Sequence, residues 1–388
     1  MSTSAPTPSR SKLRRLAWVV LGTLAGLLVL LETLPRFFEI DKLTPSELDP
    51  LAAAFKDSRI EPHPYLAYSN RKGFKKPASE KDPVVVEHSS LGFNSAEVAW
   101  KKPAGTYRIV CLGGSSTYGI GPSSTWTNWP VKLGEELAAR SSRPIEVVNL
   151  GCQGYSTFES QINLALRGVD LEPDLVLVYH TINDLRCALY PGVVRDNTHW
   201  RAVWPVDRKL PFEAALEQSI TYKAWRRYYT SWWEERQNLG AYVIVDFGKH
   251  APDDYAHPTD PDLGFANFRR NLINIVAIAK AHGSEVMLVT QGTRMGDFDR
   301  FGSAQLQKDG FERMTGILKE VAAERGVPLC DARTVLESTA DLQRAESGAD
   351  RIFVRPDKKN GEVHLTDEGC LLLARTLATR IAELALVK

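Results

Sequence analysis

An uncharged run, Leu16 to Leu31, dominates the start of the hydrophobic pattern. It has no polar stripe, so it does not read as a helix half-buried in a soluble core. Extended across Glu32 to Thr33 and Leu34, it just spans a bilayer core of ~30 Å at ~1.5 Å rise per residue. Arg10, Lys12, Arg14 and Arg15 precede it, which predicts an N-terminus kept in the cytoplasm and a remainder that is exported. Glu32, Pro35, Arg36 and two phenylalanines follow it in place of a small-x-small cleavage site. We therefore read 1–15 as a basic cytoplasmic tail and 16–34 as an uncleaved transmembrane anchor, with a signal peptide as the rival reading.

Residues 35–105 are mixed and proline-punctuated, as in "EPHPYLAY" and "RKGFKKPASEKDP", and read as a stalk and lead-in region. From Tyr107 the pattern becomes regular. Strand-like runs at 107–112, 145–150, 174–180, 285–291 and 327–331 alternate with helical periods at 129–140, 157–168, 265–283, 311–326 and 367–384. Pro130 suits a first helical turn, and Gly168 a helix end. Such alternation predicts an α/β domain over 106–388, with a parallel sheet covered by helices on both faces. Ligands of such sheets bind at the carboxyl ends of the strands. Residues 185–263 interrupt the alternation with Trp200, Trp204, Trp225, Trp232 and Trp233. This insertion reads either as a lid or substrate wall, or as aromatic packing of its own.

Composition removes some function classes. With 48 Lys+Arg against 47 Asp+Glu, the net charge of +1 offers no field for nucleic acid. The five cysteines, Cys111, Cys152, Cys187, Cys330 and Cys370, form no CxxC pair, and an odd, scattered set is not a disulfide framework. Cys111 and Cys330 sit in apolar runs as small core residues. No metal-ligand spacing is present, and no cofactor is implied.

Four short pieces fall at or just after strand ends: Gly113-Gly114-Ser115; Gly151 and Gly154 in "NLGCQGYS"; Asn183-Asp184 in "HTINDL"; and His364 in "VHLTDEG". A serine needs an adjacent base to become a nucleophile, and its tetrahedral intermediate needs donors aimed at the oxyanion. Serine, histidine, a glycine N–H and a side-chain amide are together the parts of an acyl-transfer site. Each also has a plainer reading: a glycine turn, a positive φ at Gly154, a turn-capping Asn183, or an exposed His364.

The order Ser, Gly, Asn, His resembles that of the SGNH (GDSL-type) hydrolase superfamily, over about residues 84–388. "LGFNS…KKPAGTYRIVCLGGSSTYG" is similar to membrane-anchored bacterial members in which GGS-S/T replaces GDSL. The resemblance implies a flavodoxin-like three-layer α/β/α sandwich. It implies Ser115 as nucleophile, His364 as general base, and the N–H groups of Ser115 and Gly154 with the Asn183 amide as oxyanion donors. Ser116 matches the non-catalytic position that follows the nucleophile. In the family an Asp three residues before the His orients the imidazole, but Gly361 stands there. Glu362 and Asp357 are candidates for that role, with Asp331 a weaker one, and a backbone carbonyl would leave a Ser–His dyad. Asp367 is expected to favour the start of the last helix, His180 is given no role, and Gly114 replaces the Asp of GDSL. The implied activity is serine-dependent ester hydrolysis outside the cytoplasm on an acylated small molecule or polysaccharide, envelope polysaccharide included. An O-acyltransferase, or a catalytically degenerate polysaccharide-binding or assembly protein, are the alternatives.

Overall fold

A computed structural model describes residues 10–38, 58–63, 65–200, 213–216, 218–225, 228, 262–294, 304–354 and 363–387. The chain divides into two units. One comprises Met1–Ser58 with Pro205–Ala241, and the other Arg59–Trp204 with Tyr242–Lys388.

In the first unit, α1 (Arg10–Phe37) contains a stretch, Arg10–Leu34, long and apolar enough to cross a membrane. Near its end the Glu32 carboxylate accepts hydrogen bonds from the Ser219 hydroxyl and the Ile220 N–H, so residues of the insertion meet this helix. Trp225 is half exposed in this unit.

The second unit is built on five parallel strands: β5 (Tyr107–Gly113), β6 (Ile145–Asn149), β7 (Leu175–Tyr179), β8 (Glu285–Val289) and β9 (Leu329–Cys330). Their spatial order is β6-β5-β7-β8-β9, the flavodoxin-like arrangement, in which the direction of winding reverses between β5 and β7. Strand residues alternate between faces. Val110, Leu112, Val176, Val178, Val286 and Leu288 pack with α6 (Leu263–Ala281) and α7 (Ala304–Arg325). Ile109, Cys111, Leu175, Leu177, Met287 and Val289 face α3 (Trp129–Ala138), α8 (Ala332–Ser347) and α9 (Asp367–Glu383). The two remaining helices, α4 (Thr157–Asn163) and α5 (Ile182–Leu189), with the short turn α2 (Ser115–Tyr118), start at the carboxyl edge of the sheet.

Helix starts follow their capping residues. The Asn128 side chain accepts from Val131 N–H ahead of α3, with Pro130 in its first turn. Ser156 and Glu159 form a reciprocal capping box on α4. The helical period expected over 157–168 is α-helical only to Asn163 and continues as a π turn over Leu164–Gly168. Helix α8 was not anticipated. Its mean polarity hides a narrow buried stripe formed by Ala332, Leu336, Ala340 and Gln343.

The lead-in residues from Arg59 belong to this unit. The hairpin β1 (Ile60–His63) and β2 (Ala67–Asn70) is followed by the short pair β3 (Lys75–Lys76) and β4 (Val86–Glu87). Phe93 then enters the sheet's core. Trp200 is fully buried against Tyr190 and is thus a packing residue. Trp204, Trp232 and Trp233 lie outside the described residues. All five cysteines are buried.

Candidate active site

The nucleophile loop is made by crowding. Strand β5 ends at Gly113, and the chain turns at once into α2, where Thr117 and Tyr118 N–H bond back to Gly114 O at 3.1 and 2.9 Å. As the first residue of this turn, Ser115 directs its own N–H away from any intrahelical acceptor. Gly119, at φ +105°, ends the turn in the left-handed region that suits glycine. Asn149, at the end of β6, donates to Thr117 O at 2.7 Å and accepts from Gly151 N–H at 2.9 Å. One buried amide therefore joins the serine turn to the neighbouring glycine loop.

The Ser115 hydroxyl lies 2.8 Å from His364 Nε2, although 249 positions separate the two in sequence. His364 is buried, 5% exposed, and its backbone is clamped: Val354 N–H donates to its carbonyl at 2.9 Å, and Phe353 pairs with Leu365. Gly121 allows this close packing, because a Cβ there would collide with the Leu365 carbonyl.

Asn183, in the first turn of α5 after β7, donates through Nδ2 to Tyr155 O at 2.8 Å. An amide carries two N–H donors, so one remains for a ligand. Its neighbour Asp184 accepts from Thr157 N–H at 3.1 Å, tying α5 to the start of α4. Gly154, half-buried in the loop between, has φ +74°. Gly114 makes room for the amide: a Cβ there would stand 2.5 Å from Asn183 Nδ2 and 2.9 Å from Tyr155 O. This gives the departure from the GDSL pattern at position 114 a steric role.

A second network passes behind the serine. Gln291, buried at the end of β8, accepts from Ile182 N–H at 2.9 Å and donates to Ser116 Oγ at 3.2 Å. Ser116 in turn donates to Val363 O at 3.1 Å. One glutamine thus links the residues adjoining Asn183, Ser115 and His364. Sequence reasoning passed over Gln291 and Asn149; the available signal was a polar residue ending each apolar strand.

The expected acids fall differently. Glu362, Asp357 and Gly361 lie outside the described residues. Asp331 is committed elsewhere, accepting from Thr290 Oγ1 at 2.8 Å and pairing with Lys319 at 2.9 Å. Asp367, in the first turn of α9, also accepts from Ser123 N–H and Oγ at 2.8 and 2.6 Å, while Thr366 caps the helix. His180 is buried against Ser160 Oγ at 2.7 Å, and burial pushes its imidazole down to about 3. It is therefore neutral, and its 3.7 Å approach to Asp184 is not an ion pair.

A family model, the GDSL-like Lipase/Acylhydrolase family, matches residues 111–371, well over half of the chain. The chain belongs to this family. As a GDSL-like acylhydrolase it is a carboxylic ester hydrolase. No curated protein matches it. Among solved structures it is similar to a lipase/acylhydrolase from Enterococcus faecalis, at 16% identity and TM-score 0.42, covering 71% of this chain and 96% of that one. It is also similar to a variant of an acetyl xylan esterase from Geobacillus stearothermophilus, at 14% identity and TM-score 0.41, covering 71% and 94%. In this acylhydrolase the matched region holds every block of the serine, glycine, asparagine and histidine set, while β1 to β4 precede it.

Proposed function

We propose that this acylhydrolase is a membrane-anchored bacterial esterase that uses Ser115 and His364 to remove O-acyl groups from polysaccharide outside the cytoplasm. The observation that carries the catalytic part is the 2.8 Å contact between Ser115 Oγ and His364 Nε2, beside the Asn183 amide. His364 takes the hydroxyl proton as Ser115 Oγ bonds to the ester carbonyl carbon. The carbonyl oxygen becomes an oxyanion, received by the N–H groups of Ser115 and Gly154 and by the Asn183 amide. Collapse expels the alcohol, which takes the proton from His364 and leaves an acyl-Ser115. Water, deprotonated by His364, then releases the carboxylate and restores the serine. Glu362 and Asp357 are the candidates for orienting the imidazole through Nδ1.

The run Leu16–Leu34 and its basic flank support the anchor, with the N-terminus in the cytoplasm and the hydrolase unit exported. That location, with the resemblance to membrane-anchored bacterial members, supports an acylated envelope or extracellular polysaccharide as substrate.

The test uses the full chain in detergent. Wild type should bind a fluorophosphonate probe covalently and release acetate from an acetylated polysaccharide, and Ser115→Ala should lose both. Equal labelling of Ser115→Ala would refute the nucleophile assignment. Acyl transfer to an added saccharide in preference to water would favour the acyltransferase.

A further inference from the structure

The hairpin β1–β2 lies outside the segment that matches the family, yet it reaches the glycine loop. Tyr68, 2% exposed, donates through its hydroxyl to Gln153 O at 2.6 Å. Asn70, 5% exposed, donates to Gly151 O at 2.8 Å. The Tyr155 hydroxyl returns a bond to Tyr68 O at 2.5 Å, and the two rings lie 5.5 Å apart. The hairpin thus grips both ends of the Gly151–Gly154 loop through its carbonyls.

One of these carbonyls has a particular partner. Gln153 C=O and Gly154 N–H belong to the same peptide group, which is planar and trans. In a trans peptide the two bonds point in opposite directions. Fixing the oxygen on Tyr68 therefore fixes the heading of the Gly154 N–H. Gly154, at φ +74°, has the conformational freedom that would otherwise let this peptide rotate. A donor on the carbonyl also polarises the amide and strengthens its N–H, since linked hydrogen bonds reinforce one another.

We infer that Tyr68 is a positioning residue for the oxyanion site, its hydroxyl aiming and polarising the Gln153–Gly154 peptide, with Asn70 pinning the loop at its other end. This rests on the reading of Gly154 N–H as an oxyanion donor. The lead-in hairpin is then part of the esterase's working structure, acting through the glycine loop.

The experiment compares full-length Tyr68→Phe, Asn70→Ala, Ser284→Ala and Ser115→Ala in detergent, using p-nitrophenyl acetate and a fluorophosphonate probe. Removing an oxyanion donor outright costs about 10²–10³ in kcat, whereas Tyr68→Phe leaves the donor present but loosened. The expected result is a kcat about tenfold lower with KM little changed, a parallel fall in labelling rate, and an unshifted pH midpoint. Asn70→Ala should lower kcat less, and it decides the matter if Tyr68→Phe does not fold. Ser284→Ala removes a buried hydroxyl-to-carbonyl bond of the same kind, to Pro173 O at 2.7 Å, at the opposite, amino end of the sheet. It should match Tyr68→Phe in thermal destabilisation but not in kcat. A wild-type kcat in folded Tyr68→Phe, or equal kcat losses in Tyr68→Phe and Ser284→Ala, overturns the inference. Full activity in Ser115→Ala would instead overturn the nucleophile assignment itself.

Discussion

Replacing Gly114 by alanine tests how the proposed oxyanion site is built. At φ −87° the backbone is not in the left-handed region, and the perturbation considered is the added methyl group. The new methyl carbon would stand 2.5 Å from Asn183 Nδ2 and 2.9 Å from Tyr155 O, against about 3.5–4.0 Å for an unstrained contact. The loop carbonyl is backbone and is held in place, so the Asn183 amide must yield by roughly 1 Å. Its 2.8 Å bond to Tyr155 O then breaks, and its second N–H leaves the proposed oxyanion position. Loss of one such donor lowers kcat by about 10²–10³, or ~2.7–4 kcal/mol. Overpacking should cost ~1–3 kcal/mol of stability, leaving a folded protein to assay. Steady-state kinetics on p-nitrophenyl acetate should therefore give Gly114→Ala and Asn183→Ala similar losses. The double variant should be scarcely worse than Asn183→Ala, because both changes remove one interaction and such neighbours are not additive. A near-wild-type kcat in Gly114→Ala, or losses that multiply in the double variant, would refute the reasoning.

Two further predictions concern groups near the site. Burial pushes the His88 imidazole down to about 4, where it holds Tyr118 OH and Arg71 O at 2.8 Å. The unfolded chain binds this proton near pH 6.5 and the folded chain resists it. Stability is thus complete above that value and falls as pH drops towards 4, by about 1.4 kcal/mol per unit and so about 3 kcal/mol in all. Denaturant melts at intervals from pH 7 to 4 should follow this slope and flatten in His88→Gln; an unchanged slope in the variant would assign the acid loss elsewhere. Asp331→Asn should keep kcat close to wild type, because both carboxylate oxygens are engaged by Thr290 and Lys319. A fall of several orders of magnitude, as when a triad aspartate is replaced, would return Asp331 to the catalytic set.

Much of this protein is written in local patterns that the chain reads out by itself. Apolar runs such as "DLVLVYH", interrupted by amphipathic periods, specify buried parallel strands and covering helices, because burial on two faces leaves no polar alternation. The glycines, the serine and the asparagine after those runs were legible for a related reason; His364, expected at a strand end, instead sits just before α9, after helix α8. Carboxyl ends of parallel strands share one edge of the sheet, so chemistry placed after each strand gathers there. Helix α8 escaped this reading because only a thin stripe of it is buried. What tertiary structure alone decided is which polar groups meet. Tyr68 finds the Gln153 carbonyl across 85 positions, and Gln291 finds Ser116 across 175. Asp331 stands at a strand end like the candidate serine and asparagine, yet it is paired with a lysine one helix away. Hydrogen bonds and ion pairs act over a few ångströms, and strands adjacent in the sheet are often far apart in the chain. Distances of that size are set by packing, which no local pattern encodes.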